Sequence, residues 1–408
     1  MEVSPLKVAV IGGGAAGFFA AITAKEKHPH SEVTIFEKAS QPLAKVKVTG
    51  GGRCNLTHAA KSVADLCKGY PRGGNSLKKI FHRFDHFATM QWFEQHGLQL
   101  VTQPDDCVFP ASQDAMSVVN VLQYEAANKG VRLVTNAKVI GIQPTEKGML
   151  LSIENKNQTQ LFDKLIVTTG GSPQLSGLAW LQKLGHQIEK PVPSLFTFKI
   201  PNDEVTQLMG IVVEEAVVSL SGTKLQADGP LLITHWGMSG PAVLKLSAWA
   251  ARLLNDHQYQ FNIRVSWVGK RSEAEVGNAF ENIVNEHPSK QLANFRPLGL
   301  PQRLWDFLLK KCHILPEKPW VELGKRQTNQ LINVLTNDTY SVNGKTTFRE
   351  EFVTCGGVSL HSVDMNSLQS KIVPGLYFAG EVLDIDGITG GFNLQAAWST
   401  GYVAGCLG

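Results

Sequence analysis

Four short glycine clusters and one acid carry the chemistry legible in this chain. The first cluster, Gly12-Gly-Gly-Ala-Ala-Gly17, lies between the apolar run Lys7-Val-Ala-Val-Ile11 and an alanine-rich helical stretch to about Lys27. Glu32-Val-Thr-Ile-Phe36 reads as a second strand and runs into Glu37, 20 residues after Gly17. Strand, G-x-G-x-x-G, helix, strand and acid thus follow one another in the order that a dinucleotide requires. Gly12 allows the tight turn out of the strand. Gly14 lets a pyrophosphate reach the backbone, and Gly17 lets the helix pack closely on the sheet. Ala15 and Ala16 open the helix, whose free N–H groups and positive end suit phosphate. Glu37, with Lys38 beside it, is placed to accept hydrogen bonds from ribose hydroxyls, and its charge repels a 2′-phosphate.

The second cluster sits in Lys45-Val-Lys-Val-Thr-Gly-Gly-Gly-Arg-Cys-Asn55. Consecutive glycines, with Gly51 and Gly52 at the centre, give a backbone that can wrap a ligand. Lys45, Arg53 and Asn55 offer donors to a pyrophosphate or a ring edge; a surface loop is the plainer reading. Cys54 is either a proton donor or redox partner beside a cofactor, or a small buried residue. Cys355, before Gly356-Gly357, carries the same pair of readings. Val131 to Ile140 reads as a strand pair that brings Val139 to the site. Leu161 to Thr169 reads as a strand closing on the third cluster, Gly170-Gly171. Thr169 and Gly170 then lie at the carboxyl edge of an open parallel sheet, where ligands bind.

The fourth cluster follows a short strand that ends in Gly380-Glu381. Asp384-Ile-Asp-Gly-Ile-Thr-Gly-Gly-Phe-Asn393 comes next, and then a helical stretch to Cys406. A helix starting near Gly391, with Gly390, Phe392 and Asn393 around its first turn, aims its positive end at whatever precedes it. That end suits the N1/C2 carbonyl region of a reduced flavin, which carries negative charge. Asp384 or Asp386 can bind ribityl hydroxyls. A nicotinamide nucleotide has no ribityl chain and needs no such half-site, so the four clusters together select FAD.

The chain has 408 residues, 43% hydrophobic and 18% charged, which is ordinary for a soluble protein of two or three domains. No apolar run reaches the roughly 18 residues of a membrane span, and the start is too short for a signal peptide. Cysteines 54, 67, 107, 312, 355 and 406 form no C-x-x-C pair. This argues against a metal site or disulfides and for a cytoplasmic location. From Lys38 to Arg83 ten Lys/Arg face a single acid, Asp65. Phe81, His82, Phe84, His86 and Phe87 interleave rings with those cations, a composition suited to RNA, a solvated face or a core helix alike.

Prolines 191, 193 and 201 mark a change of pattern. Residues 1–190 with 350–408 read as a discontinuous FAD-binding domain and 191–349 as an insertion. Within it, 191–270 are β-rich, 271–349 are mostly helical, and Asn343 to Val353 lead back. In the insertion, Thr234-His-Trp-Gly-Met-Ser-Gly-Pro241 stands out. His235 is a candidate proton donor; the plainer reading is a helix start at Pro241.

Ile11 to Gly17, Gly50 to Asn55, Thr234 to Pro241, Thr354-Cys-Gly-Gly-Val358 and Gly375 to Gln395 together are similar to the BaiN/RdsA-like family of NAD(P)/FAD-dependent oxidoreductases. The resemblance spans essentially the whole chain. It implies an α/β fold: a Rossmann-like FAD-binding domain of the two-dinucleotide-binding flavoprotein type, with an inserted β-barrel-like part and a small helical region. It also implies reduction of an activated C=C bond, in a steroid-like enone or in a uridine of ribosomal RNA. The leading expectation is a reductase that passes hydride from NAD(P)H through flavin N5 to such a bond. A ribosomal RNA dihydrouridine-forming enzyme and an FAD-dependent amine oxidase are the alternatives. No second G-x-G-x-x-G follows a strand, so a nicotinamide donor has to dock at the flavin itself.

Overall fold

A computed structural model describes residues 4–154, 159–346 and 353–408. In strand β1 (Lys7–Ile11) every residue after Lys7 is buried, as a strand covered on both faces requires. It pairs in parallel with β2 (Glu32–Phe36) on one side and with Lys164–Val167 on the other. Leu376–Phe378 and Arg132–Val134 complete a five-stranded parallel sheet. Between β1 and β2 runs helix α1 (Ala15–Lys27), buried continuously from Ala16 to Ala24. Its second cover is the last helix, Phe392–Gly405. The two helices approach so closely that a Cβ on Gly401 would lie 2.7 Å from the Ala16 carbonyl oxygen, and one on Gly405 2.5 Å from that of Ala20. Small residues on both faces are what allow this crossing.

Two sequence expectations change here. The run Leu161–Thr169 is two strands, not one. Gln160–Phe162 joins an antiparallel meander with Val139–Thr145 and Gly148–Ile153, while Lys164–Val167 enters the parallel sheet. The chain changes sheet at Asp163, whose carboxylate accepts the Lys7 N–H at 2.7 Å. The glycine segment after Pro42 is not all loop: Ala44–Val48 form a short helix, α2.

The chain divides into two compact units, 1–194 with 349–408, and 195–348. Strand Ile188–Ser194 runs through Pro191 and Pro193 and pairs antiparallel with Val353–Val358, with a register irregularity between Glu189 and Val192. That bulge accommodates Pro191, which has no N–H to donate, and the pairing carries the first unit to Ser194. The second crossing, expected at 349/350 within the lead from Asn343 to Val353, lies outside the described residues.

The second unit holds a seven-stranded antiparallel sheet in the order 338–343, 260–266, 212–220, 226–234, 237–239, 197–199, 345–346. Asn343 and Lys345 are separated only by Gly344, yet they belong to strands at opposite ends of that order. The sheet therefore curls until its two edges meet, which makes it barrel-like. Helices Pro241–Trp249 and Ala251–Asp256 interrupt the β-rich half. Helices Glu273–Glu286, Gln302–Lys311 and Lys325–Asn337 fill the other half before the chain returns to the sheet. The unit has its own core, with Phe198, Trp267, Trp305, Trp320 and Tyr340 buried in it.

Candidate functional site

The turn after β1 is built by backbone contacts that exclude side chains. Gly12 has φ 113° and donates its N–H to the Phe36 carbonyl at 2.8 Å. A Cβ there would meet the Thr168 carbonyl oxygen at 2.4 Å. Gly17 is tighter still, because its Cβ would lie 2.0 Å from the Gly12 oxygen. Gly14, at the N-cap of α1, is the opposite case: a Cβ would meet nothing within 4 Å. No side chain caps α1, and its first turn holds no acid. Its terminal N–H groups and positive end thus face open space, the geometry a phosphate needs. Glu37 follows β2, with one carboxylate oxygen accepting from the Gly13 N–H at 2.7 Å and the other from the Ala39 N–H at 2.8 Å. The acid is held against the glycine turn.

Beside this turn lies a cavity of about 240 Å³, lined among others by Gly12, Glu37, Lys38, Val139, Thr169 and Gly170. Residues from four separate segments, all expected at a cofactor from sequence, thus share one cleft. Gly171 lines it too, and a Cβ there would lie 2.4 Å from Glu381 Oε1 and 2.6 Å from Thr354 Oγ1.

In the second cluster, Gly50, Gly51, Gly52 and Cys54 all have left-handed backbone, with φ 60°, 68°, 85° and 62°. Such a run is open to glycine and strained for the others. Cβ atoms on Gly51 and Gly52 would meet nothing within 4 Å. Lys45, on α2, pairs with Glu381 at 2.8 Å, and Glu381 accepts the Thr354 N–H at 2.8 Å. Arg53 lies over the Phe109 ring at 4.3 Å and bonds the Gly50 carbonyl. Cys54 is wholly buried, and burial pushes its thiol up to about 12. It stays protonated at neutral pH and packs as a small core residue. Cys355 is likewise buried.

The last helix begins at Phe392 with Gly391 as a left-handed N-cap and no side-chain cap. A Cβ on Gly391 would strike Thr57 at 2.5 Å and Asn55 Oδ1 at 2.8 Å. Asn393 closes the preceding loop on itself, bonding both the N–H and the carbonyl of Gly387 at 2.9 Å. Gly380 donates its N–H to Thr400 Oγ1 at 2.9 Å. Asp386 corrects one expectation. It is fully buried, paired with Arg72, and accepts from Ser194 Oγ at 2.8 Å. Its oxygens tie the loop to the strand 188–194 and are not offered to a ribityl chain. Burial raises its carboxyl against the pull of Arg72 and Ser194.

Two of the buried polar atoms without a partner lie in the same segments, Asn55 Oδ1 and Thr354 Oγ1. Native interiors leave few such atoms unmatched unless a ligand or water meets them. Together with the open Gly14 cradle they fit a dinucleotide-type cofactor. Sequence reading took Thr354 only as the start of the Thr354–Val358 segment and gave it no role of its own.

His235 belongs to the second unit. It is exposed, on the turn between Gln226–Thr234 and Gly237–Ser239 of the inserted unit, edge-on to Trp236 at 4.5 Å. Pro241 takes the first helical turn as the plainer reading expects. Among the interleaved rings the core alternative holds for Phe81, Phe84 and His86, which are buried, while His82 and Phe87 are exposed. Of the cations, Arg72 is absorbed by Asp386 and Lys45 by Glu381, whereas Lys78 and Lys79 face outward. Among the described residues no cluster of His, Cys, Asp and Glu could hold a metal, and no helix is long and apolar enough to cross a membrane.

A family model described as the HI0933-like protein Rossmann domain matches residues 6–407. The chain belongs to this HI0933-like family. It is 29% identical over 407 residues to a 3-dehydro-bile acid delta(4,6)-reductase of Clostridium scindens, covering 98% of each chain. It is 28% identical over 402 residues to a ribosomal RNA dihydrouridine synthase of Escherichia coli, covering 96% of this chain and 95% of the relative. Among solved structures, a 3-ketosteroid-delta4-(5alpha)-dehydrogenase from Rhodococcus jostii matches with TM-score 0.50 and 13% identity, over 100% of this chain and 97% of the other. A variant of E. coli quinol fumarate reductase FrdA matches with TM-score 0.51 and 13% identity, over 99% and 70%. These structures share the fold. The chain is an enzyme of the oxidoreductase class built on a Rossmann-type domain.

Proposed function

We propose that this member of the HI0933-like family is an FAD-dependent reductase that passes two electrons from NAD(P)H to a C=C bond conjugated with a carbonyl group. The observation that carries the reading is the uncapped, side-chain-free start of α1 at Gly14, in one unit with the glycine-capped start of the last helix. Two helix N-termini suit a ligand that bears a pyrophosphate at one end and gains negative charge at the other. Bound FAD supplies a two-electron carrier that accepts and delivers hydride at N5.

This chain's own residues do the rest. Glu37 holds the ribose end, and the N–H groups after Gly14 hold the pyrophosphate. Gly51, Gly52, Arg53 and Asn55 border the ring, with Lys45 and Glu381 as a charged pair beside it. The positive end of the last helix, at Gly391, favours the cofactor's reduced state. The named activities of the two relatives support the bond type. A 4,6-unsaturated 3-ketone and a uracil ring each present a C=C bond conjugated with a carbonyl.

Anaerobic stopped-flow tests the reading. Protein loaded with FAD should lose its flavin absorbance on mixing with NADH or NADPH and regain it faster with an enone than with oxygen. A protein that stays colourless after incubation with FAD would sink the proposal. Rapid reoxidation by oxygen after reduction by an amine would favour the oxidase alternative.

A further inference from the structure

We infer that Gln395 and Thr57 are positioning residues for the bound cofactor. Acting through Gly391, they fix the start of the last helix against the segment that follows the second glycine cluster, and that placement sets how strongly the reduced cofactor is favoured. The inference rests on the FAD reading above.

Gln395 lies in the first turns of the last helix and is fully buried. So are the three side chains it meets, Thr57, Thr89 and Ser399. Its Nε2 donates to Thr89 Oγ1 at 2.9 Å and to Ser399 Oγ at 2.8 Å, and its Oε1 accepts from Thr57 Oγ1. The network itself orients the amide. Thr89 donates its own proton to the Asp85 carbonyl at 2.9 Å. It therefore accepts from the amide, and Thr57 is left as the donor to Oε1.

Stability does not call for these groups. An apolar set of the same shape in place of hydrogen-bonded partners is nearly neutral, and holding a long amide in one rotamer costs entropy. A fully matched buried network instead selects one arrangement of the segments it joins. Here those segments are the two halves of the candidate flavin site. Thr57 opens the two-residue strand Thr57–His58, which pairs antiparallel with Cys107–Pro110. Gly391 lies so close to it that a Cβ would stand 2.5 Å from the Thr57 carbonyl carbon and oxygen. Asn55 Oδ1, buried and unmatched, is 2.8 Å from the same point. Further along the helix, Trp398 donates its indole N–H to the Leu56 carbonyl at 2.9 Å. Gly391, Gln395 and Trp398 are four and three positions apart and so share one helix face. That face grips residues 55–57. The field of a helix end falls off within about one turn, so a helix start that slips on this grip loses part of its hold on the charge gained by the reduced cofactor.

The test uses full-length protein loaded with FAD. Midpoint potentials near neutral pH are compared for wild type, Thr57→Val, Thr57→Ser and Gln395→Met. Valine keeps the branched shape and drops the hydroxyl, whereas serine keeps the hydroxyl. Thr57→Val and Gln395→Met should hold one FAD per chain and favour the reduced cofactor roughly threefold to tenfold less than wild type, a fall of about 15–30 mV for a two-electron couple. Thr57→Ser should keep the wild-type potential. Unchanged potentials in Thr57→Val and Gln395→Met, with FAD bound, would make the network a brace of the fold alone. They would overturn the inference and leave the FAD reading intact, as would an equal fall in Thr57→Ser. A wild type that takes up no FAD overturns both. If Thr57→Val and Gln395→Met lose FAD that the wild type holds, Trp398→Phe, which removes the N–H on the Leu56 carbonyl, takes their place. A lowered potential then supports the inference, and an unchanged potential or loss of FAD overturns it.

Discussion

Gly14 and Gly17 stand three positions apart on one helix and have opposite surroundings. Nothing lies within 4 Å of a Cβ on Gly14, and its φ of −91° is open to any residue. A Cβ on Gly17 would sit 2.0 Å from the Gly12 oxygen. One glycine is therefore free of a packing role and suits a ligand, and the other serves the fold. Gly14→Val should leave the melting temperature within a few degrees of wild type and abolish FAD uptake, read as flavin absorbance of the purified protein. Gly17→Val should lower stability itself. Normal FAD content in Gly14→Val would remove the phosphate from this turn. Arg72 and Asp386 make a second residue-scale case. Asp386 is fully buried, and burial already pushes its carboxyl up. Arg72→Ala removes the main opposing charge and should cost about 3–5 kcal/mol near pH 7, as for other buried pairs broken on one side. The sign with pH follows from linkage. A carboxyl whose folded pKa is raised is stabilising below its unfolded pKa, near 3.9, and loses that stability as pH rises through the folded value. The deficit of the variant should therefore shrink between pH 7 and pH 4.5 in urea titrations. A deficit that grew on acidification would mean that the carboxylate is not the group left exposed to the cost.

Elements were legible where their signal is local. The β1–α1–β2 order follows from glycine spacing and a run of buried β-formers, and the last helix follows from small residues after a glycine pair. α2 was hidden because its five residues are flanked by Pro42 and Gly50 and show no period. The rings near residue 85 were ambiguous because composition does not say which face turns inward. In the helix His86–Gln95, His86, Thr89 and Phe93 are buried at helical spacing, and in Gly74–Phe81 the same holds for Leu77, Ile80 and Phe81. Lys78 and Lys79 are simply the outer face of that second helix. The contact of His58 with Gly390 could not be found at this scale at all, since the two lie 332 residues apart along the chain. The crossing of α1 with the last helix yields a prediction that opposes helix propensity. In an isolated helix Gly401→Ala would gain about 1 kcal/mol. Here the new Cβ would lie 2.7 Å from the Ala16 carbonyl oxygen, and backbone cannot yield as a side chain can. Gly401→Ala should therefore destabilise by roughly 1–3 kcal/mol, the range for overpacking. Denaturant midpoints would show it, and a more stable variant would mean that the helices are not in contact at this position.

For the molecule as a whole, the question is what the outward charge is for. The two relatives of nearly equal identity are named for substrates as different as a bile acid and ribosomal RNA, so kinship does not choose between them. The basic stretch from Lys38 to Arg83 argued for a polyanion, but part of it has partners within the chain. Lys45 and Arg72 pair with Glu381 and Asp386, Lys68 pairs with Asp65, and Arg83 bonds the Asn366 carbonyl. The buried rings remove most of the stacking platform as well. Exposed still are Lys38, Lys61, Lys68, Lys78, Lys79 and Arg83, with His82 and Phe87. If these cations meet phosphates, each contact releases counterions, and binding weakens with salt at a log–log slope near −0.7 per contact for a single strand. Replacing Lys78, Lys79 and Arg83 together by alanine should then flatten the slope of RNA binding by up to about 2 units, with FAD content unchanged because none of the three lies at the cofactor. In parallel, nucleosides of total RNA from a strain lacking the protein would be compared with wild type by mass spectrometry. Loss of one reduced uridine in that strain, together with the flattened slope, assigns RNA as the substrate. Unchanged nucleosides and binding indifferent to salt assign a small unsaturated ketone, and the cations are then the solvated face of an amphipathic helix.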